Sequence, residues 1–480
     1  MNVSGQAAKG LFWTIAERVV TQGSLFVISM VLARILGPTE YGTVSMLLVF
    51  VNLADVFVTN GLGEALIQKK RASEKDYSTI YTSGLLLSLL LYCIAFVGAP
   101  AIGDFYGDMS LVPLMRVLAL RVPLSSMNAI QRAYVSSNLD FKRFFIASSG
   151  AALLAGLLGI FFAAIGCGAY ALAIQQIMNM LCSTLLLIWL TGWHPKIAFF
   201  MESARELLPI GAQLAGANLI NALYTEGRSL VIGRVYSADS LAYYNRGNQF
   251  PSVVVGSINS PINTVMLPLF SKASGDNRKL KNWMKKSFQL SAYLLTPCMG
   301  LLALCAEPLV RLLLTDDWLP CVPYLQIACI FYLFQPIQTV NWQAIKAIGR
   351  SDLCLKLEIV KKVVSFGLLF LSIPFGVMAI AVTSAVSGGI SMLINMIPNS
   401  SLMGYSMKEQ LLDLAKPAAE TAGAVGCAFL FVSTLGFQDP VVTMVVEALI
   451  TVLVYLLFSF VTNDESFRIL LNLVFRGQRN

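Results

Sequence analysis

Charge is what this sequence has least of. Only 12% of its 480 residues are Asp, Glu, Lys or Arg, against roughly 25% in a typical soluble domain. A water-soluble protein this large could not cover its surface with so few charges. That argues against a soluble enzyme, a nucleic-acid binder and a disordered chain, despite a net charge of +8. Histidine is nearly absent: the single His194 lies in a Trp-His-Pro turn, with no partners at metal-ligand spacing, so no zinc site is expected. The nine cysteines are odd in number, scattered and free of any CxxC pair, and they read as small hydrophobes within helices. No GxxxxGK[ST] motif occurs, so no ATP hydrolysis and no cofactor are expected of the chain itself. What the sequence has instead is 56% hydrophobic residues and a mean hydropathy of +0.71. This is the composition of an integral membrane protein.

Apolar stretches of about 20 residues predict membrane helices. They fall near 11–36, 41–67, 78–103, 111–136, 144–166, 168–191, 207–235, 240–270, 286–309, 320–348, 357–376, 378–402, 412–436 and 440–462, fourteen in all. The first is longer than the core of a cleavable signal peptide and reads as a retained span. With the N-terminus inside, the inner segments carry 22 Lys/Arg and the outer loops only Arg311. So steep a bias follows the positive-inside rule and places both termini in the cytoplasm. The outer loops are too short for an extracellular domain.

Two halves share a pattern. LARILGPTEYGTVSM (32–46) aligns with IGRVYSADSLAYYNR (232–246) at an offset of 200, pairing Arg34 with Arg234. Val112-Pro113 aligns with Val322-Pro323, and RAYVSSNLDFK (132–142) with KAIGRSDLCLK (346–356). Each repeat unit contains six helices, an even number, so the halves are expected to be parallel repeats about an axis along the membrane normal. The expected organisation is an N-terminal lobe at 1–192, a cytoplasmic linker at 193–206, a second lobe at 207–402, and two extra helices with a tail at 403–480.

LARILGPTEYGTVSM, the following NGLGEALIQKK (60–70), the acidic and aromatic loop near Asp104–Gly107 and the duplicated fourteen-span layout resemble the polysaccharide-transport family of the MOP flippase superfamily. Within it, the chain is similar to colanic-acid-type exporters. The resemblance covers nearly the whole chain. It implies an all-α polytopic membrane protein with a MATE-like two-lobe fold in a bacterial inner membrane. It also implies flipping of an undecaprenyl-pyrophosphate-linked oligosaccharide to the periplasmic leaflet by alternating access. The implied partners are that lipid-linked substrate, membrane lipids and polysaccharide polymerase machinery, with no nucleic acid.

Charges remaining inside the spans are costly in hydrocarbon and usually face water, pair or snorkel. Glu64, Arg132, Lys346, Glu358, Lys361 and Lys362 sit near inner ends, where snorkelling accounts for them. Arg34, Arg116, Arg121, Arg228, Arg234 and Arg246 lie instead towards the outside, against the topological bias. Arg121 is about 15 Å below the outer end of its span by helix rise. One reading is a cationic cavity for a pyrophosphate or acidic sugar, with Arg121, Arg228 and Arg246 foremost. The other is that these arginines bond helix-end carbonyls or pair with Glu226 and Asp239. Arg34 and Arg234, at turns, read as structural. Asn218, Asn221, Tyr224, Tyr243, Tyr244, Asn245, Asn248 and Gln249 offer sugar contacts, or equally ordinary interhelical hydrogen bonds. Asp55 and Arg18 fall at similar depth on adjacent spans, so they are expected to pair, as a static bridge or as a site coupling H+ or Na+. Glu226 is a further ion-coupling candidate. Pro251, Pro261, Pro268 and Pro336 predict bends or broken turns.

Three rivals remain. A multidrug/cation antiporter prefers an acidic or apolar cavity. A lipid II flippase shares the span count and a cationic cavity. A glycan polymerase or ligase needs a sizeable outer loop, which this chain lacks.

Overall fold

In the computed structural model, residues 3–69, 72–138, 140–273, 275–436 and 439–468 are described. Among them every regular element is helical. The first half runs α1 (Val3–Ile35), α2 (Pro38–Asp55), a π-helical segment (Val56–Gly63) and α3 (Glu64–Gln68), then α4 (Glu74–Tyr106), α5 (Leu111–Leu118) and α6 (Arg121–Ser137). It continues through α7 (Phe141–Ala164), α8 (Ala169–Thr191) and α9 (Met201–Val235). Next come α10 (Ala238–Ala273), α11 (Asn277–Leu304), α12 (Ala306–Leu313), a 3₁₀ turn (Asp316–Cys321), α13 (Val322–Leu333) and α14 (Gln335–Ala347). The chain ends with α15 (Ser351–Ser372), α16 (Val377–Met403), α17 (Met407–Leu435) and α18 (Pro440–Val461).

Ten helical segments are long and apolar enough to cross a membrane by length and composition. The other four expected spans, at 111–136, 207–235, 240–270 and 357–376, also form helices: α5 with α6, α9, α10 and α15. These four are the polar ones, and they carry Arg116, Arg121, Glu226, Arg228, Arg246, Glu358 and Lys361. Rows of large apolar side chains face outward on the apolar helices, such as Leu86, Leu90, Ile94 and Val97 on α4 and Leu449, Leu453 and Leu457 on α18. In water such rows would mark an interface; around membrane helices they are the surface that meets lipid.

Local signals explain the helix ends. Ser73 and Asp76 form a reciprocal capping box that starts α4, and Ser406 with Glu409 starts α17 in the same way. Two short interhelical turns rest on Gly166 at φ +85° and Gly376 at φ +96°, backbone conformations that disfavour a Cβ. The two halves also share one connection. Residues 36–37 join α1 to α2, and residues 236–237 join α9 to α10. Pro336 acts as a breaker, following the interruption at Phe334 between α13 and α14, whereas α10 runs unbroken through Pro251, Pro261 and Pro268.

The chain divides into two compact units, Met1–Ala242 and Tyr243–Asn480. The division lies beyond the segment 193–206 because α9 packs on α2, on the π-helical segment and on α4. The loop before α9 is pinned too: Trp193 stacks on Tyr134 at 4.0 Å and meets Tyr77 edge-on, while the neighbouring His194 is exposed. Lys69 ties the same end together, 3.0 Å from Asp76 and 2.8 Å from Glu206. The Glu206 carboxylate that accepts its hydrogen bond, aided by Asp76, holds this ammonium above the ordinary lysine range despite some desolvation.

The α9 contact on the π-helical segment requires glycine. A Cβ on Gly61 would lie 2.8 Å from both the Ala215 Cβ and the Gly211 carbonyl oxygen. Gly61→Ala is therefore expected to destabilise the protein by about 1–3 kcal/mol, the range for overpacking a tight contact. Gly216 lies on the same helix with open space around it. Gly216→Ala should be neutral or stabilising by about 0.5–1 kcal/mol, from helix propensity alone. Thermal unfolding of the two variants in one detergent checks the contrast.

Candidate functional site

Asp55 ends α2, immediately before the helix widens into the π-helical segment, a local irregularity frequent at functional sites. Its carboxylate lies 3.1 Å from the Arg121 guanidinium and accepts a 2.5 Å hydrogen bond from the Ser125 hydroxyl. Thr59, one turn on, donates to the Asp55 backbone carbonyl at 2.6 Å. The residues that meet here come from helical spacing. Asn52, Asp55 and Thr59 follow one face of the second rod, and Arg121, Ser125 and Asn128 follow one face of α6.

These side chains line a cavity of about 390 Å³ together with Asn60, Glu64, Arg132 and Met180. Asn128 closes one wall by donating to Ser183 and Thr184 of α8, at 3.0 and 3.2 Å. On the side of α9, Asn52 donates to the Glu226 carboxylate at 3.0 Å. The cavity wall thus carries two carboxylates and two guanidinium groups, with Glu226 held just behind Asn52. Among the described residues, the buried Arg121 Nε has no hydrogen-bond partner. A guanidinium with an open donor, balanced against a carboxylate, can exchange its partner for an anion of matching fork geometry.

The pairing of Asp55 differs from the sequence expectation. Its partner is Arg121, not Arg18, which is exposed. Adjacency in sequence misled here, because α1 packs on α7 and not chiefly on α2. Arg121, for which the sequence offered Glu226 and Asp239 as partners, pairs with Asp55.

Of the six arginines expected towards the outside, Arg121 lines the cavity just described. Arg116 donates to the Phe96 carbonyl at 3.3 Å and covers the Phe96 ring, serving the carbonyl that Pro100, four residues on in α4, leaves without its helical donor. Arg234 covers the ring of Phe105, on the same helix. Arg228 folds back on Tyr224, its hydroxyl 3.3 Å away. Arg34 is exposed at the end of α1. Arg246, in the second unit, is buried against the Trp318 ring and donates to Gln249 at 2.7 Å.

The polar residues of α9 and α10 divide similarly. Asn218 donates to the Asn60 carbonyl of the π-helical segment at 3.3 Å, while Asn221 is exposed. Asn248 donates to the Tyr244 carbonyl at 2.8 Å, and both residues border a small cavity with Tyr324 and Ser384. Tyr243 meets Trp318 edge-on. In the first half of α15, Glu358 pairs with Lys361 and Lys362. Sequence reasoning missed Asn52, Ser125 and Asn128. The signal that exposes them is their spacing, three to seven residues from a charge already singled out.

The buried pair makes a stability prediction. Asp55→Leu or Arg121→Met alone strands a charge and is expected to cost about 3 kcal/mol, near the lower end for breaking a buried pair. The double variant removes both charges and should cost much less than the sum. Thermal unfolding of the three variants checks this.

A family model described as polysaccharide biosynthesis protein matches residues 31–323. Lipopolysaccharide biosynthesis protein WzxC of Escherichia coli is 24% identical over 418 residues, covering 86% of this chain and 83% of that protein. Succinoglycan biosynthesis transport protein ExoT of Rhizobium meliloti is 24% identical over 319 residues, 66% of this chain and 64% of that one. Among solved structures, the lipid II flippase MurJ in an inward closed conformation matches with a TM-score of 0.78 at 16% identity, over 96% of this chain and all of that one. An inward-facing MATE multidrug transporter of the MOP superfamily matches with a TM-score of 0.62 at 16% identity, over 82% and 99%. The chain is a multi-pass membrane protein of the polysaccharide biosynthesis protein family, with the fold of the MOP superfamily.

Proposed function

We propose that this protein is a flippase for undecaprenyl-pyrophosphate-linked oligosaccharide repeat units, carrying them from the cytoplasmic to the periplasmic leaflet for polymerisation. It is a transporter and not an enzyme. One observation carries the reading: the paired Asp55 and Arg121 line a polar cavity inside helices that otherwise present hydrocarbon to lipid. A charged pair in such a place is expensive and marks a substrate or ion path. The names of the relatives point to polysaccharide as the cargo.

In this reading all fourteen helical rods span the membrane, the four polar ones facing a water-filled interior. Both termini are cytoplasmic, and the halves are parallel six-helix repeats that rock between inward- and outward-open states. The diphosphate competes with Asp55 for the Arg121 fork. Release leaves the Asp55 carboxylate without its cation, ready to take H+ or Na+ while the substrate is bound; Glu226 is the second acid within that circuit. Arg228 and Arg246 would serve as later phosphate contacts, each leaving an aromatic ring. Asn218, Asn221, Tyr224, Tyr244, Asn248 and Gln249 would offer hydroxyl-matching and stacking surfaces to the sugars.

A strain lacking the gene should accumulate the lipid-linked oligosaccharide on the cytoplasmic face, and its chemical identity names the cargo. Arg121→Ala and Arg228→Ala are expected to fail to restore export while remaining in the membrane at wild-type levels. Normal export by both variants would defeat the cationic-contact reading. Rescue of a strain lacking lipid II flipping, without rescue of polysaccharide export, would move the cargo to lipid II.

A further inference from the structure

The second unit contains a larger cavity, about 950 Å³, bounded by α11, α12, α13, α17 and α18. It uses none of the residues of the first unit's cavity. That volume is at the upper end for small-molecule sites. Its walls are largely apolar, with Met299, Leu333, Val425 and Phe429 among them. One charged group lies deep in it. Glu447 of α18 is seven residues past Pro440, about 10 Å along the helix, and only 6% exposed.

The Cys305 thiol hydrogen-bonds to that carboxylate, but among the described residues Oε2 has no hydrogen-bond partner. Thr451, one turn further along the same face, has a buried and equally unpartnered hydroxyl. The only arginine on the cavity wall is already engaged. Arg311, near the mouth, bridges Glu307 at 3.1 Å and Asp316 at 2.9 Å. These three groups and Glu447 leave an excess of negative charge.

A buried carboxylate whose one donor is a weak thiol remains costly unless a cation or stronger donor meets its second oxygen. The cavity provides room for such a donor and an apolar wall for what it is attached to. Its charge balance disfavours an anion, which sets it apart from a phosphate-bearing lipid site. We propose that this cavity is a second ligand site, taking a free long-chain amine whose ammonium pairs with Glu447 and whose hydrocarbon lies along α11 and α17. Thr443, one turn before the carboxylate on α18, adds to the polar end.

The test is equilibrium binding of radiolabelled dodecylamine to the full-length protein in phosphatidylcholine nanodiscs, competed with dodecanol or dodecyl phosphate. One saturable site is expected, displaced by unlabelled dodecylamine and not by the neutral or anionic analogue. Glu447→Gln should weaken binding roughly tenfold or more, the loss of one charge-assisted hydrogen bond. Val425→Phe, which fills the cavity and keeps the carboxylate, should weaken it too, and Arg121→Ala should not change it. Displacement by dodecanol as effective as by dodecylamine would overturn the proposal. So would unchanged binding by Glu447→Gln, or loss of the site when phosphatidylethanolamine replaces phosphatidylcholine, which would give the cavity to bilayer lipid.

Discussion

A charge within hydrocarbon must be paired, hydrogen-bonded or wetted, and the first unit is organised around that constraint. Asp55 and Arg121 satisfy each other across 3.1 Å, with Ser125 taking a further lone pair of the carboxylate. Each neighbour extends the same solution. Asn52 holds Glu226 on one side, and Asn128 anchors to α8 on the other. The result is a polar interior that costs the fold comparatively little while the pair is intact and exposes two opposite charges when it opens. That is a useful property for a site that must release its own counter-ion to bind an anion.

Packing places this pair. The π-helical segment after Asp55 lies against α9 through Gly61 and Gly211, where no side chain fits between the backbones. The close approach brings the Glu226 helix beside α2, which also meets α6. The Trp193 and Tyr134 stack and the Lys69 ion pairs hold the loop end of the same assembly. Electrostatics and packing are therefore coupled: loosening the glycine contact would also separate Asn52 from Glu226.

Much of this was legible before any coordinates. Composition alone identified a membrane protein, and apolar runs located the helices but not their polar first turns: α11 begins at Asn277 and α15 at Ser351, against expected starts at 286 and 357. The short turns at Gly166 and Gly376, hard to see in apolar sequence, were placed by the runs on either side. That Asp55 and Arg121 need partners was readable from their depth. Their pairing was not, because it depends on which helices touch: α2 meets α6, while α1 turns to α7. The outer arginines show the same limit. Depth predicted that Arg116 and Arg234 need partners but could not reveal that Phe96 and Phe105 supply them. Glu447 attracted no interest in the sequence, since one acid in an apolar helix has no visible neighbour until α11 and α17 are in place.

The central claim is that the Asp55–Arg121 cavity is wet while the outer face of α4 meets lipid. Single cysteines at Thr59, Met180 and Leu86, in a protein whose nine native cysteines are replaced, test it most directly. A membrane-impermeant maleimide, applied to intact cells and to inverted vesicles, should label Thr59→Cys and Met180→Cys from at least one side and leave Leu86→Cys unlabelled. Labelling at Leu86→Cys, with the two cavity positions inert from both sides, would contradict the account.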